Sequence, residues 1–302
     1  TAGGFTEIMS NSLTKESYYE GLTSYPAARC VRILNPLSAD LNVMRQTLLF
    51  NTMEAVQLNA NRRNGNLRLY EFGNCYFYDE AARDAEKPLS AYSEQYRLAI
   101  AVTGAAVPQS WNAKPQASSF FTLRAVAEKL LRRFGLDIYA LKCEPLQSDL
   151  FGDGISLSAG NGRELLQMGV VAPRIRRAFD LKQEVYYLEM NFDALVKSTR
   201  KHRIAFEELS KFPEVKRDLA LLVDKQVTFS ALRDVAFATE RKLLKSVSLF
   251  DVYEGDKLPE GKKSYALSFI LEDKTRTLDE KAIERAMQNL TAQFERQCGA
   301  HV

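Results

Sequence analysis

The stretch Phe212-Pro213-Glu214-Val215-Lys216-Arg217-Asp218-Leu219-Ala220-Leu221-Leu222-Val223 decides the fold of the last third of the chain. Leu219, Leu221 and Val223 alternate, which predicts a strand over 218–223 with those three side chains on one face. Beyond it, Thr228 is placed to cap a helix whose apolar stripe is Leu232, Val235, Ala236 and Leu243. Residues 246–253 read as a second strand. Its expected core side is Phe250 and Val252, with Leu249, Asp251 and Tyr253 on the other face. A Gly- and Pro-containing loop, 254–261, turns the chain into a third strand over 264–271. There Tyr265, Leu267, Phe269 and Leu271 share a side. Thr277 and Glu280 have capping-box spacing. The helix they open carries Ile283, Ala286, Met287, Leu290 and Phe294 at core spacing. Gly299 stops it, and a short strand toward Val302 would close the sheet. The order is βαββαβ, a ferredoxin-like unit.

In that architecture the helices cover one face of an antiparallel sheet and leave the other open. Alternation puts Ala220, Tyr253 and Ser264 on the open face, one from each of three strands. Two small residues beside one aromatic leave room for a base to lie flat, and base–aromatic stacking is worth roughly 1–3 kcal/mol. A tyrosine that ends a strand and packs on its neighbours fits the same pattern, so the pattern alone leaves both readings open. Arg217 and Arg276 stand at the mouth of this segment. Each can contact phosphate or base, or be held in an ion pair with Asp218 or Asp279. The ion pair is the stronger reading for Arg276, and neither prevails for Arg217.

The first part, residues 1–195, reads as alternating strands and helices. A long helical run is expected from about 42 to 63, with Met44, Leu48, Leu49, Met53, Val56 and Leu58 among its apolar positions. Strands are expected at 67–72, 75–78 and 96–103, then at 154–157, 166–171 and 185–191. A second amphipathic helix covers about 122–134, with Val126, Leu130 and Leu131 inward. Between the halves, residues 196–210 read as a linker. Its basic run Lys197-Ser198-Thr199-Arg200-Lys201-His202-Arg203 fits a solvated connector better than a track for RNA. The terminal domain is then 211–302.

A chain of 302 residues has room for about two domains, and 46% hydrophobic residues supply packed cores. Residues 1–210 carry 25 Lys/Arg against 23 Asp/Glu, and residues 211–302 carry 16 against 15. Neither half is a polycation, so any nucleic-acid contact must be local and shaped. Cys30, Cys75, Cys143 and Cys298 are far apart in sequence. His202 and His301 have no partner at ligand spacing, so no metal site is expected. Scattered thiols fit a reducing cytoplasm. No apolar run approaches the ~18 residues of a membrane span, and no signal-peptide pattern stands at the N-terminus. The chain opens at Thr1 inside what reads as a folded segment, so a fragment of a longer protein is expected.

The C-terminal stretches Phe212–Asp218, Leu249-Phe250-Asp251-Val252-Tyr253-Glu254-Gly255, Lys262-Lys263-Ser264-Tyr265-Ala266-Leu267 and Arg276-Thr277-Leu278-Asp279-Glu280 run in order at sensible spacing. Together they resemble the ferredoxin-fold anticodon-binding domain that closes the beta chains of bacterial phenylalanyl-tRNA synthetases. The first half resembles the catalytic-like module of the same beta chains. The residues that carry this are Gly4-Phe5 with Glu7, Asn35-Pro36-Leu37-Ser38, Met44-Arg45-Gln46-Thr47-Leu48, Asn61-Arg62 and Tyr70-Glu71-Phe72-Gly73-Asn74. The resemblance implies an α+β chain: a class II synthetase-like, mostly antiparallel sheet with flanking helices, then the ferredoxin-like domain. It also implies that Ala220, Tyr253 and Ser264 hold the first anticodon base.

A working class II site uses an arginine on its second signature strand and another in a Gly-rich strand-to-helix motif, both stabilising anionic oxygens as the adenylate forms. Here Gly73-Asn74-Cys75-Tyr76-Phe77-Tyr78-Asp79-Glu80 is similar to that second signature, and the arginine position falls at Phe77. Gly152-x-Gly154 and Gly160-x-Gly162 are turn signals with no arginine in place. The first half is therefore expected to be a pseudo-enzyme with no catalytic residues. Arg45 is expected to be tied locally through Asp40 or Glu71.

The resemblance further implies an alpha-chain partner in a heterotetramer of two alpha and two beta chains, and binding of the phenylalanine tRNA. ATP and magnesium would be used by the alpha chain, with no cofactor held by this fragment. The helical run 42–63 is the best candidate for part of a partner interface. The rival readings are a stand-alone RNA-binding module, which would place two or three aromatics on the central strands, an active class II ligase, and an assembly module with a degenerate synthetase fold.

Overall fold

The computed structural model describes residues 3–200, 202–203, 205–206, 208–255 and 257–301. The chain divides into two compact units, Thr1–Ile204 and Ala205–Val302.

The first unit contains β1 (Thr6–Glu7), β2 (Leu13–Thr14), β3 (Val43–Met44), α1 (Leu49–Asn61), β4 (Leu67–Tyr78) and β5 (Tyr92–Thr103). There follow β6 (Ala105–Val107), β7 (Gln116–Ala117), α2 (Phe120–Arg133), β8 (Lys142–Pro145), β9 (Phe151–Ser158), β10 (Glu164–Val171), α3 (Pro173–Ala178), β11 (Val185–Asn191) and α4 (Phe192–Thr199). Seven strands form one sheet in the order β1-β4-β5-β11-β10-β9-β8. Only the β1–β4 pair is parallel.

Alternation along the strands divides the side chains between two cores. On one face Leu69, Cys75, Phe77, Ala99, Ala101 and Tyr187 pack with Leu49, Met53 and Val56 of α1. On the other, Leu98, Ile100, Val102, Met168 and Leu188 pack with Leu123, Ala127 and Leu131 of α2. The sheet is thus covered on both faces by helices. A reciprocal capping box between Ser119 and Thr122 opens α2.

Helix α1 starts at Leu49, well inside the expected run from 42. Residues before it are occupied otherwise: Met44 donates its N–H to Val31 O, Arg45 to Ser12 O, and Gln46 to the Tyr19 hydroxyl. With those groups committed across the chain, a helix cannot begin earlier. The strands expected at 67–72 and 75–78 are one continuous strand, paired with β5 from Leu67 to Tyr78. The expected linker 196–210 begins inside α4, which runs to Thr199. Lys201, within its basic run, lies outside the described residues.

The second unit contains β12 (Val215–Asp224), α5 (Phe229–Thr239), β13 (Leu244–Tyr253), β14 (Lys262–Leu271) and α6 (Glu280–Cys298). The sheet order is β12-β14-β13, antiparallel throughout. Leu221, Val223, Leu267, Phe269 and Leu271 meet Leu232, Ala236, Ile283, Leu290 and Phe294 of the two helices in one core. Thr228 caps α5 as expected, its hydroxyl accepting from Ala231 N–H. The α6 cap is Asp279, whose carboxylate accepts from Ala282 N–H at 2.7 Å, in place of the Thr277/Glu280 box. Asp279 is the last extended residue and carries its own acceptor, so Thr277 stands too far upstream. Gly299 closes α6 in the left-handed region, with φ 59°. His301 then makes a single bridge with Leu222 on the outer side of β12. Val302, where the closing strand was expected to run, lies outside the described residues.

Candidate nucleic-acid interface

The register of the second sheet assembles the open face. Tyr253 pairs with Ser264, so their side chains rise on the same side. Ala220 pairs with Ala266, two residues along β14 from Ser264 and therefore on that side too. The three residues taken from the sequence are thus brought together, one from each strand, on the face that α5 and α6 leave uncovered. Tyr253 is 43% exposed, and its ring leans back over Gly255.

Arg217 does not join them. Strand alternation puts it on the helix side with Leu219 and Leu221, where Nη2 lies 2.7 Å from the Glu280 carboxylate at the start of α6. Its partner is Glu280 and not Asp218, which sits on the opposite face beside Lys216 at 3.7 Å. Arg276 is also ion-paired, with Asp273 at 3.3 Å rather than Asp279.

Val252 keeps the expected core side, paired with core-facing Tyr265, and is 45% exposed near the end of the strand, whereas Phe250, expected on that side too, is 58% exposed. The cause is a β-bulge: Leu249 pairs with Leu267 and Asp251 with Ala266, leaving Phe250 as the extra residue. The bulge slips the phase of the strand, so Leu249 packs against the core in its place. The Phe250 ring has Lys216 Nζ 5.8 Å from its centroid. Lys216 belongs to β12, the far strand, so the ring reaches across β14 on the open side. Ser268 of β14 is buried there, its Oγ with no hydrogen-bond partner among the described residues. The open face carries two aromatics, Phe250 and Tyr253, where the sequence pattern supplied one.

The first unit holds a second feature, a polar cleft on the α1 face of the large sheet. Phe77 stands on its floor, the position where a class II arginine was sought. Two guanidinium groups flank the ring, with Arg97 Cζ at 5.2 Å and Arg29 Cζ at 5.5 Å from the centroid. Arg97 is largely buried, with 14% of its side chain exposed, and fully engaged. It pairs with Glu189 and donates to Tyr25 Oη at 3.0 Å and to Gln95 Oε1 at 2.7 Å. Burial opposes its charge, but Tyr25 and Glu189 outweigh burial and hold the guanidinium protonated. Burial also pushes the Tyr25 phenol up to about 12. Glu189 further accepts from Thr47 Oγ1 at 2.6 Å and from Leu48 N–H at 3.0 Å, which fixes the start of α1.

A nucleotide triphosphate with magnesium does not fit these residues. Arg97 is neutralised by Glu189, whose own oxygens are taken, and Arg29 is left as the one cation of the cleft without an ion pair among the described residues. Arg45, expected to pair with Asp40 or Glu71, is bound to Glu71 at 2.7 Å, with both side chains buried. Asp40 pairs with Lys15 instead. All four cysteines are free thiols.

A largely antiparallel sheet wrapped by helices, followed by a ferredoxin-like unit with one uncovered face, defines a synthetase-type scaffold joined to an anticodon-binding type of module. Residues 1–192 match the family described as phenylalanyl tRNA synthetase beta chain CLM domain, and residues 210–302 match the ferredoxin-fold anticodon binding domain. The chain belongs to the phenylalanyl-tRNA synthetase beta chain family. It is 47% identical over 297 residues to the phenylalanine–tRNA ligase beta subunit of Bacteroides fragilis, covering 98% of this chain and 36% of that protein. The Bacteroides thetaiotaomicron beta subunit is 48% identical over 292 residues, covering 97% of this chain and 36% of that one. The chain therefore spans about a third of the length of the curated relatives it matches. A solved pyrrolysyl tRNA synthetase from Desulfitobacterium hafniense aligns with a TM-score of 0.48 at 14% identity, over 65% of this chain and 63% of that one. No helix among the described residues is long and apolar enough to cross a membrane.

Proposed function

We propose that the chain is the non-catalytic C-terminal part of a phenylalanine–tRNA ligase beta subunit, and that the open face of its second unit grips the anticodon region of the phenylalanine tRNA. The observation that carries this reading is the convergence of Ala220, Ser264 and Tyr253 on one uncovered sheet face. A base lying on Tyr253 gains the stacking of an exposed ring, worth roughly 1–3 kcal/mol. Ala220 leaves space for it, and the Ser264 hydroxyl supplies a donor or acceptor to its edge. Arg217 enters only indirectly, since its pair with Glu280 ties β12 to the start of α6.

In this reading the first unit is scaffold. It packs against the alpha chain, which binds ATP and magnesium and performs the chemistry in a cytoplasmic assembly of two alpha and two beta chains. Leu34 and Leu37, almost fully exposed on either side of Asn35-Pro36, give that interface apolar surface. Helix α1 itself contributes less than the sequence suggested, because Leu49, Phe50, Met53 and Val56 are already buried within the unit.

The test is aminoacylation by the reconstituted enzyme. Tyr253→Ala is expected to weaken tRNA use by a factor of about 5 to 150, the equivalent of one lost stack, while Tyr253→Phe retains most of it. Phenylalanine-dependent pyrophosphate exchange without tRNA stays unchanged. An unchanged tRNA KM and kcat in Tyr253→Ala would remove the reading. The chain alone should catalyse no exchange, and exchange without the alpha chain would overturn its non-catalytic assignment.

A further inference from the structure

The polar cleft of the first unit has no role in the reading above, yet it is built differently from the cores around it. Its volume is about 230 Å³, the share of roughly seven or eight waters at ~30 Å³ each. The strands that form its floor bury apolar side chains elsewhere on the same face, at Leu69, Ala99 and Ala101. At the cleft they present Ser93, Gln95, Arg97 and Gln167 instead.

Three features define what can bind. First, the local charges are mostly spent. Arg97 is matched by Glu189. Asp149 lies behind the cleft wall, its carboxylate accepting from Thr23 and Ser24 N–H groups. Arg29 is exposed at the mouth, has no ion pair among the described residues, and rests on the Phe77 ring. A single free guanidinium suits a monoanion, and its planar fork suits a carboxylate. Second, Gln46 is fully buried at the back of the cleft. Its Nε2 donates to Pro26 O and Cys30 Sγ, which fixes the amide orientation, and its Oε1 has no partner. A buried acceptor without a donor is unfavourable by about 1–3 kcal/mol, and a ligand donor relieves it. Third, the remaining amides offer both signs of hydrogen bond. Gln95 Oε1 is used by Arg97, leaving its nitrogen, and Gln167 Nε2 is used by Glu164, leaving its oxygen.

We propose that this cleft binds a small carboxylate that also carries a hydrogen-bond donor, with the carboxylate on Arg29 and the donor turned toward Gln46. The site is independent of the anticodon-binding reading, because it lies in the other unit and uses none of the open-face residues.

The experiment is a titration of the 302-residue chain with L-serine, acetate and inorganic phosphate, followed by calorimetry and by ligand-observed NMR. L-serine is expected to saturate, acetate to bind more weakly for want of a donor, and phosphate to bind more weakly than L-serine, because Arg97 is already matched by Glu189 and no second free cation among the described residues of the cleft holds the further charge of its dianion. Arg29→Ala removes the anchor and is expected to weaken L-serine by about tenfold or more, the value of a charge-assisted hydrogen bond. Ser93→Leu fills the mouth and is expected to abolish binding. Both positions are exposed, so the melting temperature should stay within a degree or so, about what surface changes give. The proposal is overturned if none of the three saturates, if either variant leaves L-serine affinity unaltered, or if phosphate binds more tightly than L-serine.

Discussion

The Arg45 guanidinium lies where a side chain on Gly73 would begin: a Cβ added to Gly73 would stand 2.1 Å from Arg45 Nη2. The glycine is a packing requirement of the buried ion pair that Arg45 forms with Glu71. Ser10 adds two hydrogen bonds to that carboxylate, and Arg45 Nε donates to Asn74 O at 3.0 Å. The pair thus joins the N-terminal segment, the approach to α1, and β4. Gly73→Ala is expected to destabilise the first unit by about 2–5 kcal/mol, the range for overpacking and for breaking a buried pair. Arg45→Met alone should do likewise, since it strands the Glu71 charge. Arg45→Met with Glu71→Leu should recover much of the loss. Urea unfolding of the three variants measures this, and equal stability of the single and double changes would contradict it.

Glu189 is the second buried carboxylate on which the first unit depends. It neutralises Arg97 and accepts from Thr47 and Leu48 at the N-terminal end of α1, where negative charge is favourable. Glu189→Gln keeps the shape and removes the charge, leaving Arg97 buried without its partner. A loss of about 3–5 kcal/mol is expected, against roughly 1 kcal/mol for Thr47→Ala, which removes one capping hydroxyl. Chemical denaturation compares the two directly. A Glu189→Gln effect no larger than that of Thr47→Ala would mean that Arg97 finds compensation elsewhere.

The second unit was readable from its sequence because apolar period and element length coincide there. Leu221 and Val223, Tyr265 to Leu271, and Ile283 to Phe294 follow single periodicities, and all pack in one core. The reading failed where a local interaction outweighs the period. At Phe250 a bulge adds a residue, and no alternation rule registers an insertion of one. At residues 42–48 the apolar spacing suits a helix, but Tyr19, Ser12 and Val31 claim the backbone N–H groups. The pairing of Arg217 with Glu280 spans 63 positions, and only the packing of β12 beside α6 brings them together. The cleft went unnoticed for a similar reason. Arg29, Gln46, Gln95 and Gln167 come from four separate stretches, and none has a motif of its own.

The bulge at Phe250 gives the open face a second ring, next to Lys216. If a base stacks on Tyr253 as proposed, a neighbouring base has an aromatic surface to meet there, and its phosphate has a cation beside it. Phe250→Ala is expected to cost less than about 1 kcal/mol of stability, because the ring is mostly exposed. It should weaken tRNA binding by about five-fold or more, the low end of one stack. Lys216→Gln should lower the salt dependence of binding, the slope falling by about 0.7 for one single-strand phosphate contact. Fluorescence titration of the tRNA at several salt concentrations reads both. A Phe250→Ala variant that binds normally but unfolds easily would reassign the ring to folding.

Gly255 controls where the Tyr253 ring rests. A Cβ at position 255 would meet Tyr253 Oη at 2.5 Å and Cζ at 2.6 Å, too close for any real contact. The atoms met are the far end of an exposed side chain, so the ring can swing aside at little energetic expense. Gly255→Ala should therefore leave the stability of the second unit within about 0.5 kcal/mol of the parent, as surface changes do. The ring must move, however, and a base that stacks on it in its present position loses overlap. Aminoacylation by the reconstituted enzyme is expected to show a raised KM for tRNA, smaller than that of Tyr253→Ala, with phenylalanine activation untouched. Combining the two changes tests the route of the effect. If Gly255 acts only through the ring, Gly255→Ala adds nothing on top of Tyr253→Ala, whereas additive losses would show that the glycine meets the RNA itself.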